Sequence, residues 1–338
     1  MRLAAITLLF FTAQVVHAQS VQDPQLAALL EAGNGAEAQK LATAKITAKP
    51  DDMDAFTALV LAATSGNESS AASATTTKRR EDALQALEAC AERLPKAAPC
   101  LWGAGAVAGV LAMQGGMLKG MSMAPKIKAN FIKALEADAL YTPARSGLIQ
   151  YYLAAPAIAG GSVSKAMEAA TAEQARQPEH AKLFKATVLL HEKKWSQAEA
   201  ALASIVSTGE KADKSFKDEV AQGWITLGFN YLNEKEPAKA KVVMQRLTGE
   251  RPESAWGFYG LGRALTDLGE TDAAIAALMK SALLKDADKL PVDYRLGLAH
   301  LAKGDKPAAK GAFTKAVSAK NISERQKKEA QKKLDELG

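Results

Sequence analysis

Apolar positions are arranged in two ways along this chain. The first is a single unbroken block: Leu3 to Phe11 is almost wholly apolar, with Arg2 in front of it. Val16-His17-Ala18 then offers small residues at the two positions a signal peptidase reads. Residues 1–18 therefore read as a signal peptide, with Gln19 opening the mature chain. The block is too short to cross a hydrocarbon core of about 30 Å, and no later stretch reaches the roughly 18 uninterrupted apolar residues of a membrane helix. The expectation is a periplasmic protein with no transmembrane segment in its mature chain. No cysteine follows the block to take a lipid anchor.

The second arrangement recurs. Trp224, Leu227, Gly228 and Tyr231 are followed by Ala240; Leu261-Gly262 by Gly269 and Ala274; Leu296-Gly297 by Gly304, Ala309, Phe313 and Ala316. The Leu-Gly pairs are 34 and then 35 residues apart. An alanine also precedes a proline by 12 residues four times: Ala38 and Pro50, Ala83 and Pro95, Ala166 and Pro178, Ala240 and Pro252. Weaker units centre on Ile127, Ala198, Ala274 and Ala309, without the proline. Glycine and alanine let two helices cross closely, while large residues such as Trp224, Tyr231 and Phe313 fill the space around the crossing. Proline ends the second helix, because it lacks a donor and clashes with the preceding turn. The pattern predicts eight helical hairpins over residues 24–320. No hairpin can bury its apolar face alone, so neighbours must stack, and the last needs a polar lid. Ser323-Glu324-Arg325-Gln326 reads as the capping box that opens such a lid.

These residues resemble the tetratricopeptide repeat family, whose pattern is Trp, Leu-Gly, Tyr, a Gly turn, Ala, Phe, Ala and a closing Pro. Trp224, Leu227, Gly228, Tyr231, Ala240 and Pro252 occupy six of those positions in one unit. The resemblance implies an all-α fold: a right-handed superhelical solenoid of about eight antiparallel helix hairpins with a C-terminal capping helix. The array runs over 19–320 and is strongest at 220–320, with a basic capping helix over 321–338. The resemblance also implies that the first helix of each hairpin lines a concave groove. Carried over residue by residue, that face holds Tyr141, Tyr151, Tyr152, His191, Phe229, Asn233, Trp256, Tyr259, Arg263 and Tyr294. The family's Lys and Asn clamp for a C-terminal carboxylate is missing: its positions hold Ile225 and Phe229, then Tyr259 and Arg263.

Three stretches depart from the repeat and read as long loops. Thr64 to Arg80 is rich in Ser and Thr and reads as a surface loop. Gly103 to Pro125 carries six glycines together with Met113, Met117, Met121 and Met123. It is open to two readings: a pliable lip over a hydrophobic ligand, or a distorted hairpin with methionine filling core gaps. Ala154 to Ser162 holds Pro156 and Gly160-Gly161, which permit a tight turn before a helix N-capped by Ser162. Residues 100–180 are similar to the helical-repeat subunit of tripartite periplasmic transporters.

Composition narrows the function. Alanine is abundant and aromatics are few, which favours helix. Of the formal net charge of +6, five units lie between Lys303 and Gly338, either a solvated terminal helix or a patch for an acidic surface. Cys90 and Cys100 are an even pair in an oxidising compartment and suggest a disulfide, the alternative being two buried thiols. His180, His191 and His300 stand in no metal-binding spacing, and His300 occupies a packing position of the repeat. No nucleophile elbow, phosphate loop or dinucleotide fingerprint is present. The chain is therefore expected to be no enzyme, to hold no cofactor or metal, and to bind no nucleic acid. Two functions remain open. One is a periplasmic scaffold that binds a protein or peptide partner in its groove. The other is a carrier or transporter-accessory protein for a small apolar ligand, suggested by the Gly/Met segment and the Tyr141–Tyr152 cluster.

Overall fold

The computed structural model describes residues 21–65, 74–206 and 214–338. The signal-peptide stretch 1–18 and residues 66–73 of the Ser/Thr-rich segment lie outside the described residues. Among the described residues the chain is all-α, with 17 helices, two short 3₁₀ turns and no strand.

The helices follow one another in pairs. They are α1 (Pro24–Glu31) and α2 (Gly35–Ala48), α3 (Met53–Thr64) and α4 (Ala74–Arg93), α5 (Ala98–Gln114) and α6 (Gly116–Ala137), α7 (Thr142–Ala154) and α8 (Val163–Thr171). Then come α9 (Pro178–His191) and α10 (Trp195–Ala203), α11 (Lys214–Asn233) and α12 (Pro237–Glu250), α13 (Ala255–Asp267) and α14 (Thr271–Ala282), α15 (Val292–Lys303) and α16 (Lys306–Ser318). A single helix, α17 (Glu324–Leu337), closes the chain. Among the described residues they form two compact units: unit 1 reaches to residue 192 and includes 204–206 and 214–219, and unit 2 is residues 193–203 with 220–338.

Local chemistry sets the helix ends. Asp23, Asp52, Ser162, Ser254, Asp305 and Ser323 each cap a helix by accepting from a backbone N–H of its first turn. The turn inside a pair needs a left-handed residue, and Gly269 (φ 77°) and Gly304 (φ 82°) supply it in the last two complete pairs. Lys193 and Lys235 adopt the same conformation at φ 60°, at a steric cost that glycine escapes.

Packing confirms the small-residue register. Ala38, Ala83, Ala166, Ala198, Ala240, Ala274 and Ala309 are all buried, as is Ile127. In the first unit the core runs through Phe56, Leu59, Val60, Leu87, Trp102, Leu111 and Phe131. In the second, Met244 lies against both Gly228 and Gly260, each of whose hypothetical Cβ would stand 2.4 Å from its Cε. Leu278 covers Gly262, and Phe313 covers Gly297 at 2.6 Å from such a Cβ. α17 lies on α15 and α16, burying Ala330 beside Tyr294 and Phe313. Its N-terminus carries both halves of the Ser323–Gln326 capping box.

Three expectations need correction. The segment Gly103–Pro125 is not a loop: it is the end of α5, a one-residue turn at Gly115 and the start of α6. Its first glycines are helical because core side chains occupy their space. A Cβ on Gly103 would stand 2.3 Å from Val60, and one on Gly105 would stand 2.9 Å from the Phe131 ring. The Ser/Thr-rich segment is shorter than the sequence suggests, since Ala74–Arg80 already belong to α4. Arg80 is buried there, its Nε donating to Ala63 O at 2.9 Å. Pro178 does not end α8. It opens α9 at the first helical turn, where its missing N–H costs nothing.

The third insertion folds as expected. A 3₁₀ turn spans Ala157–Ala159, Gly160 is left-handed at φ 89°, and Ser162 caps α8. Tyr151 Oη donates to Ala159 O at 2.5 Å and Ser162 N to Tyr152 O at 2.8 Å, fastening the loop to α7.

Candidate functional site

Unit 2 brings one group of candidates together on the first helices of three consecutive pairs. Phe229 lies on α11, Trp256, Tyr259 and Arg263 on α13, and Tyr294 on α15. The spacing of Trp256, Tyr259 and Arg263 puts them on one helix face, since residues three and four apart are neighbours. Phe229 meets the edge of Trp256 with ring centroids 6.0 Å apart and is tilted against Tyr259 at 6.1 Å. The Arg263 guanidinium stands over the Phe229 ring at 5.5 Å. Tyr259 and Tyr294 are buried, whereas Trp256 keeps 37 % of its surface exposed. Tyr259 and Tyr294 are thus spent on the core, and Trp256 is the most exposed aromatic of the group.

Burial governs the charges here. It pushes the Tyr294 hydroxyl up to about 12, helped by a hydrogen bond to Glu329. Burial also moves the Arg263 guanidinium below its ordinary pKa, and the like charge of Arg295 adds to the effect. Arg295, whose guanidinium lies 5.6 Å from the centroid of the Tyr294 ring, was not among the sequence candidates. Its one signal in the sequence is its place between Tyr294 and Leu296-Gly297. That signal is weak, because one helix alone does not reveal which neighbour it faces.

The other candidates are elsewhere. Asn233 is exposed at the end of α11, and His191 is exposed at the end of α9 in unit 1. Tyr141, Tyr151 and Tyr152 do not line an open surface. Tyr141 packs edge-on to Trp102 at 5.9 Å, and burial pushes its hydroxyl above the ordinary range. Tyr151 is buried and meets Tyr152 edge-on at 5.9 Å, its hydroxyl spent on the insertion. The methionines of the α5–α6 hairpin divide: Met123 packs against the core of unit 1, whereas Met113 and Met117 are exposed, as is Leu118.

Cys90 and Cys100 are joined by a disulfide that ties the end of α4 to the start of α5, with Cα atoms 5.9 Å apart. The His180 ring is tilted against Phe216, with centroids 4.5 Å apart. His300 is half-buried at the end of α15, with Nδ1 3.6 Å from Asp305. Among the described residues no group of three or more His, Cys, Asp or Glu is placed to hold a metal, and no helix is long and apolar enough to cross a membrane. A surface cavity of about 460 Å³ in unit 2 is walled by Lys193, Lys194, Tyr231, Glu234, Glu236 and Lys239. Its charged lining does not suit an apolar guest.

The class these helices define is that of helical-hairpin repeat proteins. Residues 257–288, which cover most of α13 and α14, match the tetratricopeptide repeat family model. No curated protein matches the chain by sequence. Among solved structures, a tetratricopeptide repeat protein from Parabacteroides merdae is 16 % identical, with a TM-score of 0.43 over 77 % of this chain and 94 % of that one. Yeast Tom70 is 11 % identical, with a TM-score of 0.46 over 94 % and 74 %. YrrB, described as a tetratricopeptide repeat protein with an unusual peptide-binding site, is 15 % identical, with a TM-score of 0.35 over 74 % and 99 %.

Proposed function

We propose that this protein is a non-enzymatic interaction scaffold of the periplasm that holds a protein or peptide segment across the first helices of its C-terminal repeats. One observation carries the reading. Trp256 stands partly exposed on α13 against the edge of Phe229, a ring that Tyr259 and Arg263 hold in turn. Binding energy concentrates on such rigid aromatic and arginine anchors. The periplasmic location draws support from the apolar block Leu3–Phe11 and from the Cys90–Cys100 disulfide, which suits an oxidising compartment. The carrier alternative is weakened in one of its motives, since the tyrosines pack into or against the core.

The test places a photo-crosslinking residue at position 256 and, separately, at Met279, which is 56 % exposed on the second helix α14. A discrete polypeptide adduct at 256 but not at 279, competed by excess wild-type protein and not by Trp256→Ala, is the expected result. Identical adducts at both positions, or equal competition by Trp256→Ala, would refute the reading.

A further inference from the structure

The hairpin of α5 and α6 outgrows the core of unit 1. Ala112 is the last buried residue of α5 and Ala124 the first of α6, and no residue between them is buried. The apex, Met113 to Leu118, is exposed at every position. Met113, Met117 and Leu118 keep 64, 75 and 88 % of their surface open within these six residues. Scattered apolar residues need no cover, but three at one apex make a patch of the kind that meets a partner or a membrane. The charge beside the patch is of one sign. Residues 93–135 hold no Asp or Glu and six Lys or Arg: Arg93, Lys96, Lys119, Lys126, Lys128 and Lys133. Lys119 follows Leu118 directly, and its stem fills the space that a Cβ on Gly115 would need. Lys126 is matched by Glu88 of α4 at 2.8 Å. Lys128 follows Leu118 by ten residues, about 15 Å along a helix. Neither α5 nor α6 offers Lys119 and Lys128 a carboxylate short of Glu136, the penultimate residue of α6.

We propose that the α5–α6 apex docks on an anionic lipid surface, with Met113, Met117 and Leu118 entering below the headgroups and Lys119 and Lys128 facing the headgroup phosphates. The charge decides between occupants. A second copy of the apex would cover the apolar side chains but bring two basic hairpins together. An anionic bilayer meets both needs, with apolar chains below and negative charge at the surface. The dimensions agree as well. The polar layer of one leaflet is about 5–8 Å deep. With Leu118 just beneath it, Lys119 lies among the headgroups, and its long stem lets the ammonium rise toward water. Lys128 then stands within about one Debye length, roughly 8 Å, of the lipid surface. Methionine suits the disordered acyl boundary, because its unbranched side chain adapts to irregular surroundings. The apex belongs to unit 1, so its docking does not depend on the partner reading, whose anchor Trp256 belongs to unit 2.

The test floats the full chain with vesicles of phosphatidylcholine containing about one third phosphatidylglycerol, and separately with vesicles of phosphatidylcholine alone. Expected is flotation with the anionic vesicles and little with the neutral ones. Met117→Ser combined with Leu118→Ser should weaken vesicle binding about tenfold, and Lys119→Gln combined with Lys128→Gln by a similar factor. Met279→Ser combined with Leu283→Ser removes a comparably exposed apolar pair from unit 2 and should leave binding unchanged. Absence of wild-type flotation, or equal flotation with both kinds of vesicle, overturns the proposal. Binding that the Met117 and Leu118 changes leave intact also overturns it, and assigns the contact to another apolar segment such as Leu3–Phe11. Equal loss in the Met279 and Leu283 variant does the same. A wild type that self-associates without floating, and becomes monomeric when Met117 and Leu118 are changed, makes the apex an interface between copies instead. The comparison of anionic with neutral vesicles decides the point if a variant fails to fold.

Discussion

Glycine in this chain is a packing residue more often than a hinge. Gly228 and Gly260 admit Met244 between α11 and α13, and Gly297 admits the Phe313 ring between α15 and α16. A methyl group at Gly297 would stand 2.6 Å from that ring, which is itself fully buried and has no room to retreat. Gly297→Ala should therefore destabilise the protein by about 1–3 kcal/mol, the usual cost of overpacking a filled core, despite alanine's better helix propensity. Urea unfolding followed by circular dichroism measures it, and a stabilised variant would show the contact to be soft. The same packing explains why Gly103 and Gly105 looked like loop residues. Their spacing carries no mark of the Val60, Leu87 and Phe131 side chains that fill the space a Cβ would need.

At the scale of the element, caps and turns were legible and helix lengths were not. Ser162 and Ser323 cap as their neighbours in sequence predicted, because a cap is a contact within four residues. The join between α4 and α5 is more constrained, since the disulfide spans its two prolines. Both cysteines are buried, and the loop they close has a sequence separation of 10. Replacing both with serine should lower stability by about 2–3 kcal/mol, the loop-closure entropy restored to the unfolded chain. The urea midpoint should fall in the double variant and become insensitive to reductant, while that of the wild type falls only when reductant is added. Equal midpoints with and without reductant in the wild type would show that the bond contributes nothing.

Across the whole molecule, buried phenols couple folding to alkaline pH. Burial, with hydrogen bonds to Glu199 and Glu329, raises Tyr231 and Tyr294 to about 12, and burial raises Tyr141 further. The unfolded chain releases these protons near pH 10, the ordinary tyrosine value. Between about pH 10 and 12 the native state therefore holds more protons than the unfolded one, and stability falls as pH rises. The urea midpoint should hold steady below this window and drop through it, with tyrosinate absorbance lagging behind that of the urea-unfolded chain. Tyr294→Phe should make the decline shallower, and an unchanged slope would show that Tyr294 does not contribute.

The amino-acid pattern alone was enough for the helical hairpins, their caps and their turns. Alanine spacing, proline, capping side chains and turn glycines act over a single hairpin, and each such signal survives without knowledge of the rest of the fold. How far each aromatic is exposed emerged from the packed hairpins. Trp256 and Tyr259 lie three residues apart, yet one keeps 37 % of its surface exposed and the other 4 %. Tyr141 and Tyr151 sit at groove positions of the repeat and are spent on packing. Exposure and charge pairing depend on how neighbouring hairpins stack, and stacking is a sum over residues far apart in the chain.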